Sequence, residues 1–213
     1  MVIFCTRNSA SFCALSNGMN IIEPVKRLAK KATGIGLPSR EEALACVRKV
    51  RPSQMKFRDD GYIPNNPKFP LLHYRKALQF GRKHDPAAVL ENVFDVNGWG
   101  EAWRNGIYDY VHYHSMIHEV LGIARGSGTL QLGGNKGKTV KVGAGDVIVV
   151  PAGVGHECLK ASATFLVVGA YPPTGTYDEC RGSFQERDQA IKAIGRVGVP
   201  KQHPLYGSYQ PLW

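Results

Sequence analysis

The sequence predicts a mainly β domain, a sandwich or barrel, flanked by helices. Three observations carry this. From Gly106 onward, short runs rich in Val, Ile and Leu recur between glycine turns: "VLGIARGSGTLQLGG", "KTVKVGAGDVIVVPAG" and "ATFLVVGAYP". Several strands at regular spacing with turn signals between them mark an all-β core. The helical signals, in contrast, are confined to the two flanks. The 213 residues are 43% apolar and 21% charged, the balance of a globular chain long enough for one core plus an extended arm.

Residues 1–18 read as chain outside the fold, or as an over-called start before Met19. They make a poor signal peptide, with no basic leading region and a very short apolar run. Residues 21–33 place Ile21, Ile22, Val25, Leu28, Ala29 and Ala32 at helical intervals, with Lys and Arg elsewhere, so a basic amphipathic helix is expected. Gly34 to Pro38 breaks it. Ser39 with Glu42 three residues on is a capping box, each side chain satisfying the other's free backbone N–H, and predicts a second helix through about Val50. "FRDDGYIPNNPKFPLL" is too rich in Pro and Asn for a central strand and is expected as irregular or edge chain. Asp85-Pro86, an N-cap followed by Pro at the first helical position, predicts a helix carrying Val89, Leu90, Val93 and Phe94 to near Gly98. Beyond the strands, Ser183 and Glu186 form another capping box, opening a helix to about Ile194. The Pro-rich tail is expected to lie on the body, because Leu205, Tyr206, Leu212 and Trp213 are costly to leave in water.

The net charge of +10 is uneven: residues 1–60 carry 11 Lys/Arg against 5 Asp/Glu, residues 107–180 only 5 against 6. The excess sits in the arm and reads as a solvated helix face. Without aromatic interleaving or a recognisable motif, nucleic-acid binding is not expected. "GGNKGKT" resembles the end of a phosphate loop, but Leu132 stands where that loop needs glycine and a strand pattern follows, so a hairpin is expected. Five cysteines in an odd set with no CxxC spacing argue against a disulfide framework and fit a reducing cytoplasm. No apolar run is long enough to span a bilayer.

The densest chemistry lies in "GIYDYVHYHSMIHEVLGIARG", residues 106–126. On a strand His112 and His114 project to one side, with Tyr108 and Tyr110 behind them, and two such imidazoles can share one ion. Gly106, His112, His114, Glu119 and Gly126 stand with 5, 1, 4 and 6 residues between them; Gly145, Pro151, Gly153 and His156 follow with 5, 1 and 2. These two spacings, 18 residues apart, resemble the paired signatures of the cupin superfamily. One position departs: Lys160 stands where the second signature usually ends in Asn. The words "PNNP", "NGWG", "WRNG", "HEVLG", "PAGVGH" and "VGAYP" resemble a narrower group over residues 56–213, the small bacterial cupins of the YjlB type.

The resemblance implies a single double-stranded β-helix (jelly-roll) barrel, RmlC-like, to which the patterns read above add N-terminal helices and a short C-terminal helix. It makes 56–213 the cupin domain, with its barrel core at about 104–175; the arm before residue 50 falls outside the resemblance, and the pattern alone reads 1–18 as chain outside the fold and 19–55 as a basic helical arm. The resemblance also implies that His112, His114, Glu119 and His156 are metal ligands, holding one divalent transition-metal ion (Fe, Mn, Ni, Co or Zn) near one mouth of the barrel. Imidazoles and one carboxylate suit such ions better than Ca or Mg. The expected function is that of a mononuclear metal-dependent enzyme, an oxygenase, isomerase or lyase, acting on a small molecule; the alternative is a non-catalytic small-molecule or metal binding protein. A homodimer is expected.

Tyr108 and Tyr110 are the candidate catalytic residues, core packing being the competing reading. Cys158, two residues beyond His156, reads as buried packing; Asn65 and Asn66 as turn holders; Trp99 and Trp103 as core or interface anchors. Between the neighbours His118 and Glu119, strand parity groups Glu119 with Leu121 and Ile123, the bulkier row, which should face the interior. His118 is then expected to face outward, toward an interface or solvent.

Overall fold

The structure, a computed structural model, describes residues 36–213. The predicted helix at 21–33 and the question of Met1 or Met19 as start lie outside the described residues. In chain order the elements are α1 (Arg40–Ala45), β1 (Ser53–Met55), β2 (Leu71–Tyr74), α2 (Pro86–Val96), β3 (Gly100–Asn105), β4 (Glu119–Arg125), β5 (Ser127–Leu132), β6 (Lys138–Gly143), β7 (Val147–Val150), β8 (His156–Ala161), β9 (Leu166–Tyr171) and α3 (Phe184–Ile194).

The three predicted helix starts hold. Ser39 and Ser183 each accept from the backbone N–H three residues on, while Glu42 and Glu186 reach back, and Asp85 caps Ala87 ahead of Pro86. α1 stops at Ala45, short of the expected Val50. Its successor backbone is taken by a β-type contact instead: Arg48 N–H donates to the Ala77 carbonyl at 2.8 Å and Gln79 N–H to that of Cys46 at 2.9 Å. Ser53–Met55, read as the end of the arm, forms the edge strand of a sheet, and Leu71–Tyr74 lies inside that sheet between β1 and β7. The segment between them is irregular, as its prolines require. "GGNKG" is the β5–β6 hairpin turn, with Leu132 opposite Lys138.

Strands pair antiparallel in two sheets, six-stranded in the order β1-β2-β7-β4-β9-β3 and three-stranded in the order β6-β5-β8. This is a jelly roll built as two facing sheets. Alternation along the strands sorts the core into two layers. Leu121, Ile123, Ile148, Val150 and Val167 meet Leu130, Leu132, Val142 and Cys158 from the smaller sheet. The opposite rows, Val120, Ala124, Val147, Val149, Val168 and Ala170, are covered by Val89, Leu90, Val93 and Phe94 of α2 and by Leu205 and Leu212 of the tail. Gly122 allows α2 to come this close: a Cβ there would run into Leu90 and Phe94. The predicted docking of the tail therefore holds, with Trp213 Nε1 donating to the Pro70 carbonyl at 2.8 Å. Leu121 and Ile123 line the inter-sheet side, so Glu119 at the head of β4 belongs to it.

Candidate metal centre

The chain from Val111 to His114 threads between two partners. His112 exchanges both backbone hydrogen bonds with His156, and Tyr113 exchanges both with Cys180. Bends at Ser115 and Met116 then reset the strand parity before β4. The Asp178 carboxylate holds that bend, accepting from Ser115 N–H at 2.9 Å, Ser115 Oγ at 2.6 Å and Met116 N–H at 3.0 Å. Asn65 and Asn66 brace the other approach. Asn65 Oδ1 accepts from Gly155 N–H, just before His156, and Asn66 Nδ2 donates to the Ala152 carbonyl. Both are the turn-holding residues expected.

Three of the four residues singled out by spacing converge as a trio. His112, His114 and His156 are buried, and each offers one ring nitrogen, these nitrogens lying within 4.8 Å of one another. Glu119 is buried beside them, its Oε2 3.5 Å from His114 Nε2 and 3.4 Å from His156 Nε2. Each imidazole has Nδ1 against a backbone carbonyl: Tyr110 for His112 at 3.3 Å, Asp178 for His114 at 2.5 Å, and Val154 for His156 at 3.1 Å. A carbonyl can only accept, so Nδ1 carries the proton and the Nε2 lone pairs are left for another partner. Glu119 Oε2 is fully buried with no hydrogen-bond partner, a costly state for a charged oxygen. Three imidazole lone pairs beside an orphaned carboxylate fit a borderline divalent cation.

The charges agree. Burial, then the neighbouring His156, pushes the His112 pKa down to about 3, so that ring is neutral at ordinary pH. Burial also acts against protonated His114, but the Glu119 carboxylate outweighs it and the net shift is upward. Burial raises the Glu119 pKa, yet His114 and His156 hold it well below the usual carboxylate range. Glu119 thus calls for a cation beside it, either an extra proton on His114 or a metal ion.

Above these residues opens a cavity of about 370 Å³, lined also by Glu101, Trp103, Arg104, Tyr108, Tyr171 and Tyr177. Tyr171 accepts from Trp103 Nε1 at 3.1 Å; burial, then Glu119, raises its pKa, so the phenol keeps its proton. Tyr177, its pKa pushed up to about 12 by burial and then Glu179, packs its ring 4.9 Å from that of His114. Of the two tyrosines proposed from sequence, Tyr108 lines the cavity. Tyr110 does not: it stacks on Tyr108, lies under the Arg181 guanidinium and bonds Glu179. Cys158 packs in the inter-sheet core, as expected. Trp99 is a core residue, and Trp103 packs against the inter-sheet core while also walling the cavity.

His118 corrects an expectation. It does point away from the other imidazoles, but it is fully buried rather than facing solvent or an interface. Its Nδ1 accepts from Ala152 N–H at 2.9 Å, its Nε2 donates to the Gly198 carbonyl at 3.1 Å, and Trp213 of the tail covers its ring. Tyr171, Tyr177 and Asp178 were not anticipated. Tyr171 carried a readable signal, since it shares strand parity with the inward Val167; Asp178 carried none.

This fold and this cluster define a class. Residues 104–169 match the family described as a Cupin domain, and the chain belongs to the cupin family. Over 156 residues it is 40% identical to Uncharacterized protein YjlB of Bacillus subtilis (strain 168), covering 73% of this chain and 91% of that protein. Among solved structures it is similar to acireductone dioxygenase from Bacillus anthracis with a cadmium ion in its active centre, at 20% identity and a TM-score of 0.32, over 42% of this chain and 62% of that one. It is also similar to a DUF861 family protein from Thermotoga maritima, at 19% identity and a TM-score of 0.28, over 35% and 78%.

Proposed function

We propose that His112, His114, Glu119 and His156 hold one divalent transition-metal ion at the floor of the cavity, and that the protein is a mononuclear metal-dependent enzyme acting on a small molecule admitted above it. The observation that carries this reading is the shared tautomer. Three Nδ1–H groups are tied to carbonyls, which leaves three Nε2 lone pairs, and those of His114 and His156 meet a buried Glu119 oxygen that has no hydrogen bond. Such an ion, Fe, Mn, Ni, Co or Zn, supplies Lewis-acid or redox chemistry when bound.

The chain's own residues do the rest. The carbonyls of Tyr110, Asp178 and Val154 fix the ring planes, and Tyr177 shields His114 from water. Tyr171 keeps a protonated hydroxyl in the cavity wall, where it can donate to a ligand oxygen. Oxygenase, isomerase and lyase reactions all use a centre of this kind, and turnover separates them from binding alone. A homodimer in the cytoplasm is part of the same reading, supported by the exposed edges of both sheets and by the free cysteines among the described residues.

The test is elemental analysis of protein purified without added metal, followed by a turnover screen on small molecules. About one ion per chain is expected, lost as pH falls because protons compete for the imidazoles. Protein with no metal, and no shift of its thermal midpoint on adding Fe, Mn, Ni, Co or Zn, overturns the reading.

A further inference from the structure

The cavity also says what it admits, an inference that rests on the reading of it as a ligand site. Its walls are rings and aliphatic groups: Trp103, Tyr108, Tyr171, Tyr177, Ile107 and Leu121. Two charged side chains outside the histidine cluster line it, Glu101 and Arg104, and they are not equivalent. The Arg104 guanidinium is held by two carboxylates. Its Nε and Nη2 donate to the two oxygens of Glu91 at 2.5 and 2.6 Å, and its Nη1 donates to Asp85 at 2.9 Å. Its charge is met by these two carboxylates before any ligand arrives.

Glu101 is the opposite case. Among the described residues it has no hydrogen-bond or ion-pair partner. Its backbone is left-handed, with φ at 50°, at the bulge where the pairing of β3 with β9 shifts between Gly100 and Trp103. A side chain with a Cβ is disfavoured there, and bulges beside sites re-aim side chains. The mouth therefore presents one free carboxylate and several aromatic faces. Both features attract an organic cation, the rings through their quadrupoles, and both repel a carboxylate.

We propose that this cavity selects a single-ring aromatic ligand bearing a protonated amine, with Glu101 reading the ammonium at the mouth and Trp103, Tyr171 and Tyr177 enclosing the ring. A cavity of about 370 Å³ lies in the range that takes such a molecule. The ligand class is thereby set apart from small dicarboxylates and aryl acids.

The test uses the Mn(II)-loaded full chain, titrated calorimetrically with tyramine, 4-methylphenol, 4-hydroxyphenylacetate and oxalate. Tyramine should bind about tenfold more tightly than 4-hydroxyphenylacetate, the size of one exposed ion pair plus a cation–π contact, with 4-methylphenol between them and oxalate weakest. In Glu101→Gln, tyramine and 4-hydroxyphenylacetate should come within about threefold of each other. Metal content and thermal midpoint should stay at wild-type values, because Glu101 is exposed and unbonded. Equal or tighter binding of 4-hydroxyphenylacetate or oxalate by the wild type overturns the proposal. So does an amine preference unchanged in Glu101→Gln, or no binding of any of the four probes at millimolar concentration. The same titrations on metal-free protein separate the two readings. An amine preference in a chain that takes up no metal sinks the metal centre alone, whereas one bound ion with a preference for acids sinks this proposal alone.

Discussion

Two sets of buried histidines occupy opposite sides of the six-stranded sheet, and they are finished differently. On the side covered by α2 and the tail, His118 and His203 have both ring nitrogens engaged. His118 accepts from Ala152 N–H and donates to Gly198, and His203 Nδ1 accepts from Leu205 N–H while its Nε2 meets the Tyr74 hydroxyl at 2.8 Å. On the inter-sheet side, His112, His114 and His156 are equally buried, but each has only Nδ1 bonded to a carbonyl, and the Nε2 atoms of His114 and His156 turn on the Glu119 carboxylate. Burial does not set the two groups apart. The unfinished hydrogen bonding does.

The comparison breaks most clearly at the ligands. Glu119→Ala or His156→Ala should reduce metal content from about one ion per chain to near zero by elemental analysis. The metal-dependent part of the stability, roughly 3–4 kcal/mol when free metal is 100 to 1,000 times its dissociation constant, should go with it. On the finished side, His118→Ala should leave metal content intact. It should instead lower unfolding stability in denaturant by about 2–4 kcal/mol, for two lost hydrogen bonds and a cavity under Trp213. If His118→Ala empties the site and Glu119→Ala does not, the two sides have been assigned the wrong way round.

Acid sharpens the contrast further. Burial pushes the His203 pKa down to about 4, below the ~6.5 of an unfolded chain. The unfolded state therefore takes the proton first. The stability His203 contributes is complete above pH ~6.5 and is lost as pH falls toward 4, by at most about 3 kcal/mol. Denaturant midpoints between pH 7 and 4 should decline, and His203→Gln should flatten that decline. The smallest effect concerns Asp178, which reaches the centre only through its hold on the loop carrying His114. Asp178→Ala should weaken metal affinity about 10- to 100-fold without abolishing the one-to-one stoichiometry, as read by competition with a chelator.

The clustering of His112, His114, Glu119 and His156 was legible because the spacing is local: two imidazoles two positions apart, Glu119 on the parity of Leu121 and Ile123, and His156 behind its own glycine turn. The helix starts were legible for the same reason, since a capping box spans four residues. β3 was not anticipated because "GEAWRN" is largely exposed and lacks the apolar alternation that betrays a strand. His118 shows the limit of parity. It tells which face of a strand a residue takes but not that Gly198 and Trp213, some 80 and 95 positions later, will cover that face. Asp178 meets Ser115 across 63 positions, and no pattern near either residue announces the meeting.

The Asp178 clamp has a consequence for how the protein is made. A ribosome delivers His112, His114, Glu119 and His156 in that order, and Asp178 follows 22 residues after the last of them. At about 5–20 residues per second the nascent chain carries every donor for one to several seconds before the residue that locks the His114 ring and its loop has been synthesised. Donors that are complete but still loosely held grip any passing ion weakly and release it readily. In the proposed reading, selection among the metals available to the cell thus falls after β9 and the segment behind it have been laid down, when the geometry of the finished domain rather than the first ion encountered decides which metal stays.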